Sequence, residues 1–313
     1  MNAAILPIVL PVFLVIMLGF CLKKTGLVQG SFMFELNRLI YYIALPSLLF
    51  HKIATADFSA SFDPKLLAVM IFSTSSCCVF SYLYATIRGY KPTIKGAFCQ
   101  GSFRGNLAYV GLAITFQAYG DEGFTKAGIL LGFLVPLLNL LSIAVLMLSS
   151  RKQQSEVSIL YITKQIIYNP LIVASLTGLL WSFLEWPIHT ILDRSLAIVN
   201  GMALPLALIA IGASFSFKKL RGDLGTAVFA TVNKIIILPL VTAALLWFFG
   251  VRGVELGVGV ILAGTPVAAA AYIMAQQMDS DAELSGAIIA LSTLCSLVTY
   301  TVMLYIYHLV GLV

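Results

Sequence analysis

Ser102-Phe103-Arg104-Gly105-Asn106 and Ala263-Gly264-Thr265-Pro266 are the two stretches on which the reading of this chain turns. Each interrupts a long apolar run with a residue that a membrane helix carries at a cost. Glycine lifts the steric limit on the backbone and proline removes a donor, so both stretches read as breaks in the middle of a helix. Gly105 and Gly264 lie 159 residues apart, and at that shift the whole sequence lands on itself without a gap. Pro11 falls on Pro170, Gly19 on Gly178, Ala44-Leu45-Pro46 on Ala203-Leu204-Pro205, and Gln117 on Gln276. The chain is therefore an internal duplication.

Of its 313 residues 60% are hydrophobic and 10% charged, against about one quarter charged in an ordinary soluble domain. With a mean hydropathy of +1.00, the solvent for most of the chain is lipid. The net charge of +6 sits in short clusters between apolar runs, the pattern of cytoplasmic loops and not of a nucleic-acid surface. Cys21, Cys77, Cys78, Cys99 and Cys295 fall in or beside apolar runs and read as reduced packing residues, without disulfide or metal spacing. The first apolar run lacks a basic leader and a cleavage site, so it is expected to stay as a span.

A spanning helix needs roughly 20 apolar residues. That length divides the chain into ten expected spans: 4–22, 36–53, 66–87, 94–118, 124–148, 166–184, 188–217, 224–249, 254–278 and 284–309. The fold class is then an all-α membrane protein. Residues 1–150 form a first five-helix repeat, 151–165 a short cytoplasmic linker, and 166–313 a second repeat. Five spans per copy, an odd number, turn the second copy upside down, and inverted repeats of this kind are the architecture of secondary transporters. Loops on one side carry Lys23, Lys24, Arg38, Arg88, Lys91, Lys95, Arg151, Lys152, Lys164, Lys218, Lys219 and Arg221. The other side carries only Lys52, Lys65, Lys126, Arg194 and Arg252. Basic residues mark the cytoplasm, so both termini are expected outside. The acidic loop Asp279, Asp281, Glu283 runs against this and carries little weight in the rule.

The two breaks sit at matched places in spans four and nine. Each frees N–H and C=O groups that lipid cannot satisfy, so those groups must face protein, ions or substrate. The half-helices that begin after each break aim positive dipole ends at the centre, where an anion is stabilised. The plain alternative is that glycine and proline merely kink membrane helices; the matched pairing favours a binding site.

Asn106-Leu-Ala-Tyr-Val-Gly111-Leu-Ala, followed by Ala118-Tyr119-Gly120-Asp121, resembles the fourth span of the auxin efflux carrier family, which includes plant auxin exporters and bacterial permeases for malonate and malate. Tyr42-Ile-Ala-Leu-Pro46-Ser-Leu-Leu-Phe50, Leu204-Pro205 with Ile211-Gly212-Ala213-Ser214, and Pro266 extend the likeness along the whole chain. The resemblance implies a fold like that of bile-acid sodium symporters. Spans one, two, six and seven would be scaffold, with Pro46 and Pro205 as hinge or scaffold positions, and spans three to five and eight to ten would carry substrate, four and nine crossing at their breaks. It places the family's central asparagine at Asn106 and its second-break proline at Pro266, and it implies a bacterial inner-membrane permease. The long cytoplasmic loop of the plant exporters is missing here, and Arg104-Gly105 replaces their proline-containing pair.

Arg104 near the middle of span four costs at least about 2.5 kcal/mol on insertion scales. Its guanidinium either forks onto a substrate carboxylate or pairs with freed carbonyls of the opposite break. Lys234 near the centre of span eight either carries a coupling proton or neutralises the negative ends of the broken half-helices. Asn139, three residues after Pro136, is the strongest of the amides Asn139, Asn200 and Asn233, which otherwise read as interhelical bonds. His51 reads as an interfacial histidine. Gly101/Gly105, Gly128/Gly132 and Gly253/Gly257 allow close helix approach and decide nothing.

The candidate substrate-binding set is Arg104, Gly105, Asn106, Asn139, Gly264, Thr265 and Pro266, with Lys234 as a coupling or structural charge and no metal or cofactor. An enzyme fits poorly. The chain has three histidines, no H-E-x-x-H and no phosphate loop, and Tyr119-Gly120-Asp121 has no second intramembrane aspartate to make a protease. The expectation is a carrier of a small organic anion, a mono- or dicarboxylate, working by alternating access. A passive channel or sensor is the alternative. Expected partners are the anion, the bilayer and a second copy through the scaffold helices.

Overall fold

The computed structural model describes residues 6–57, 61–149, 168–215 and 223–309. Apart from one isolated bridge, every regular element among them is helical. The helices are α1 (Leu6–Lys24), α2 (Gly30–Leu39), α3 (Leu45–Ala54), α4 (Pro64–Ile87), α5 (Pro92–Phe103), α6 (Leu112–Leu148), α7 (Pro170–Phe183), α8 (Thr190–Ser214), α9 (Leu224–Val232), α10 (Leu238–Phe248), α11 (Gly253–Ala263), α12 (Ala270–Gln277) and α13 (Ala282–Leu309). Six described stretches are long and apolar enough to cross a membrane, while α7 and α11 are shorter and apolar. The chain is a multi-pass membrane protein. The expected linker 151–165, the bases Arg151, Lys152, Lys164, Lys218, Lys219 and Arg221, and both termini lie outside the described residues.

Local sequence sets the ends. Asn169 caps α7, its side chain accepting from the N–H groups of Leu171 (3.0 Å) and Ile172 (3.3 Å), and Pro170 takes the first helical position where a missing N–H costs nothing. The expected span 188–217 is helical over Thr190–Ser214, started by the His189 ring nitrogen accepting from the Ile191 N–H. The last part of expected span four and expected span five run on as α6, interrupted at Gly120, whose φ of 59° is one that glycine adopts freely.

Two of the three described π-helical turns, Ile40–Ala44 and Asn233–Ile237, have one cause, a proline that Leu107–Gly111 lacks. Pro46 and Pro239 cannot donate, and a proline ring clashes with the carbonyl four residues back, so the preceding turn loosens and the N–H before each proline bonds five residues back. Leu45 reaches Ile40 and Leu238 reaches Asn233. Pro205, matched to Pro46 by the repeat, sits inside a continuous α8. The second π-turn thus follows Pro239 and not the repeat.

The helices gather into two compact units. One comprises Met1–Asp63, Ala108–Val135 and Thr163–Phe215; the other comprises Pro64–Leu107, Pro136–Ile162 and Ser216–Val313. In the first, α1 packs on α8 and α3 on α7. The α1–α8 approach is backbone on backbone: a Cβ at Gly19 would strike Ile209, and one at Gly212 would strike Ile16. In the second, α4 packs on α5 and α10, α10 on α11, and α9 on α13. Tyr84 stacks on Phe229 at 4.5 Å there, with Phe98 alongside.

Candidate functional site

The second unit holds both breaks. Its α5 stops at Phe103 and Arg104 turns extended, with φ −76° and ψ 92°. Likewise α11 stops at Ala263, followed by Gly264, Thr265 and Pro266. The two extended strips meet as a short antiparallel pair, Gly105 opposite Val267. The Asn106 N–H donates to the Pro266 carbonyl at 2.8 Å and the Ala268 N–H to the Arg104 carbonyl at 3.1 Å. Backbone groups freed by one break are thus satisfied by the other.

Side chains take up much of the remainder. The carbonyls that end α11 are met in turn. Ile261 accepts from the Tyr300 hydroxyl (2.9 Å), Leu262 from the Thr265 hydroxyl (2.8 Å), and Ala263 from the Lys234 ammonium. The Ser102 carbonyl accepts from the Cys77 thiol at 3.2 Å, and the Val267 N–H donates to the Ser292 hydroxyl at 3.0 Å. Lys234, 1% exposed, is delivered by the Asn233–Ile237 π-turn and sits at the negative end of the α11 dipole, with Thr265 Oγ1 3.5 Å from its Nζ. Only a glycine fits at position 105, since a Cβ would collide with Thr265 Oγ1 and stand 3.2 Å from Lys234 Nζ.

The Arg104 guanidinium turns toward the Pro136–Leu148 part of α6. Nη1 donates to the Leu138 carbonyl (3.2 Å) and the Ser142 hydroxyl (2.8 Å), and Nη2 to the Asn139 side-chain oxygen (2.8 Å). Neither sequence reading of Arg104 named these partners. Its own carbonyl meets the opposite break, accepting from the Ala268 N–H. The structure brings Arg104, Gly105, Asn106, Asn139, Thr265, Pro266 and Lys234 into one bonded cluster. Gly264 lies beside Tyr300 and Met303, and Pro46 and Pro205 belong to the other unit. Ser142, Tyr300 and Ser292 were missed, because single hydroxyls on apolar helices carry no distinguishing spacing.

In the first unit His51 Nε2 lies 2.7 Å from Asp193 Oδ1, and its Nδ1 lies 2.8 Å from Asn200 Nδ2. Lys52 pairs with Asp121 at 2.5 Å. No joint role for these residues is readable along the chain, since 142 and 149 positions separate His51 from its partners.

Over residues 4–304 the sequence matches the family described as membrane transport protein. It is 28% identical over 293 residues to an uncharacterized transporter of Methanothermobacter thermautotrophicus, covering 93% of this chain and 94% of the relative. It is 25% identical over 311 residues to a Rhizobium meliloti protein named "Putative malonate transporter", covering 97% and 96%. An uncharacterized transporter of Methanocaldococcus jannaschii is 23% identical over 300 residues, covering 93% and 94%.

Proposed function

The chain belongs to the membrane transport protein family, of the auxin efflux carrier type, and from that premise we propose that it is a secondary transporter for a small organic anion, a mono- or dicarboxylate, working by alternating access. The observation that carries the reading is the antiparallel pairing of the two breaks at Gly105 and Val267. The cluster is one-sided in its chemistry. The last carbonyls of α11 already hold side-chain donors. N–H groups past the second break are paired within the protein as well, Val267 with the Ser292 hydroxyl and Ala271 and Tyr272 with the Ala268 and Ala269 carbonyls. A site whose acceptors are occupied and which holds the basic side chains of Arg104 and Lys234 favours a carboxylate over a cation.

In this reading Asn106 and the helix starts contact the substrate, and Arg104, braced by Asn139 and Ser142, keeps the site positive. The chain forms ten spans in two inverted repeats with both termini outside, in a bacterial inner membrane, and pairs with a second copy through the scaffold helices. The malonate in one relative's name makes short dicarboxylates the first cargo to try. Purified protein in liposomes, preloaded with each member of a carboxylate panel, tests this. Saturable uptake of labelled anion accelerated by unlabelled anion on the opposite face marks a carrier. Linear flux marks a channel, and no flux for any carboxylate refutes the cargo class.

A further inference from the structure

Within the first unit, α1, α3, α8 and the 113–124 stretch of α6 enclose a cavity of about 430 Å³, a volume typical of small-molecule sites. Its walls are mostly apolar, and its polar lining is His51, Lys52, Gln117 and Asn200. An amide nitrogen only donates, so with Asn200 Nδ2 against His51 Nδ1 the ring accepts there and gives its Nε2–H to Asp193. That is a neutral imidazole. The arrangement leaves Asn200 Oδ1 buried without a hydrogen-bond partner, a condition that buried polar groups seldom tolerate. Turning the amide over puts this oxygen against Nδ1, and the ring can then take a second proton with an acceptor on each side.

We propose that His51, held between Asp193 and Asn200, is a proton-binding site in the wall of this cavity, and that its protonation admits the organic anion to the cavity, so that proton and anion binding favour one another.

The charges around the ring explain why the two should be linked. Asp193 comes from α8, whose neighbouring Arg194 is exposed. Asp121 comes from α6 and is held by Lys52, while Glu122 is held by Lys126 at 3.7 Å. No charged residue occurs along α7 (Pro170–Phe183), and α1 lines the cavity only with Pro11, Val12 and Val15. Tyr41 and Tyr42 lie at least nine positions back along the same run of helix. Lys52 is paired with Asp121 and His51 faces Asp193, so protonation of the ring makes this end of the cavity more positive by one charge. An entering carboxylate is held better by the protonated state than by the neutral one. By reciprocity the anion must tighten proton binding by the factor by which the proton tightens anion binding. The coupling rests on the proposed cargo class; the proton site does not.

Nitrogen-15 histidine spectra of the full chain in liposomes, followed across pH, test both parts. The expected result is one histidine that passes from the Nε2–H neutral form to imidazolium, a signal missing from a monodisperse His51→Gln protein. Malonate should make half-protonation occur at a proton concentration about fivefold lower, and Asp193→Asn should reduce the imidazolium population at any given pH. A His51 signal fixed in one form across the range overturns the proton site. A titrating His51 that ignores malonate while malonate flux is measurable overturns the coupling. A titrating His51 without flux of any carboxylate leaves the proton site standing and overturns the cargo class, and the coupling with it.

Discussion

Gly105→Ala adds a single methyl group at the point where the two broken helices meet. The Cβ would overlap Thr265 Oγ1 and stand 3.2 Å from both Cε and Nζ of Lys234. Neither neighbour can withdraw freely. Thr265 is fully buried and its hydroxyl donates to the Leu262 carbonyl at 2.8 Å, while Lys234 is 1% exposed and bonded to the Ala263 carbonyl. Overpacking a tight site costs about 1–3 kcal/mol, and a displaced hydroxyl or ammonium adds roughly 1 kcal/mol for the bond it loses. The expected loss for Gly105→Ala is therefore about 3 kcal/mol. Thr265→Ala alone removes one hydrogen bond and should cost about 1 kcal/mol.

The double variant separates steric conflict from other causes. With Thr265 Oγ1 gone the severest overlap is removed and the 3.2 Å contacts with Lys234 remain, so Gly105→Ala/Thr265→Ala should be more stable than Gly105→Ala itself, with a coupling of about 2 kcal/mol. Gly201→Ala is the control. Nothing lies within 4 Å of a Cβ there, and alanine in a helix is favoured over glycine, so stability should hold or rise. Unfolding in mixed micelles, followed by circular dichroism, gives the four free energies. Effects that add to within about 0.5 kcal/mol would refute the argument from the close approach of positions 105 and 265.

Arg104→Gln should lower stability by about 3 kcal/mol through loss of its charged bonds to Leu138, Asn139 and Ser142, with Asn139→Ala a weaker version in the same unfolding assay; undiminished stability in both would dismiss the clamp. Asn106→Ala should stay monodisperse and bind carboxylate more weakly, measured by calorimetry, and an unchanged affinity removes Asn106 from the site. At the start of α9, Asp223 accepts from the side chain and backbone N–H of Thr226, which holds its carboxyl below the usual carboxylate range. A group lowered in this way stabilises above its unfolded pKa, so the contribution is lost as pH falls through the folded value. Stability of the wild type relative to Asp223→Asn should shrink on acidification. For the topology, cysteines placed at Gln153 and Val313 in a background without the native thiols should react with an impermeant reagent on intact cells only at position 313; the reverse inverts the orientation.

Features written along the chain were legible in the sequence. Apolar runs marked the helices, and Gly105 and Thr265-Pro266 marked places where helices stop, because each depends on residues within one turn of the effect. The π-turns were equally local in cause, yet Leu45-Pro46 and Leu238-Pro239 read as helix until the missing donor is followed back five residues. Pairings across helices were not legible. Arg104 finds Asn139 and Ser142 at separations of 35 and 38 residues, and His51 finds Asp193 at 142. Helix–helix register decides such contacts, and in lipid, where apolar side chains pack without a hydrophobic driving force between helices, the sequence pattern does not fix that register.

The bonding of the breaks explains how two cations come to lie in apolar surroundings. A break exposes carbonyls at the end of one half-helix and N–H groups at the start of the next. If water satisfied both ends, the site would show no preference for the sign of a ligand. Here the carbonyl ends are closed by Lys234, Thr265, Tyr300 and Cys77, so a cation would find these acceptors already taken. On the proposed reading Lys234 acts on selectivity without touching cargo: it occupies the Ala263 carbonyl that a small cation would otherwise use, and adds a positive charge to the same cluster. Arg104 adds a second, fixed by Asn139 and Ser142. On the proposed reading, the ligand suited to those surroundings is a carboxylate.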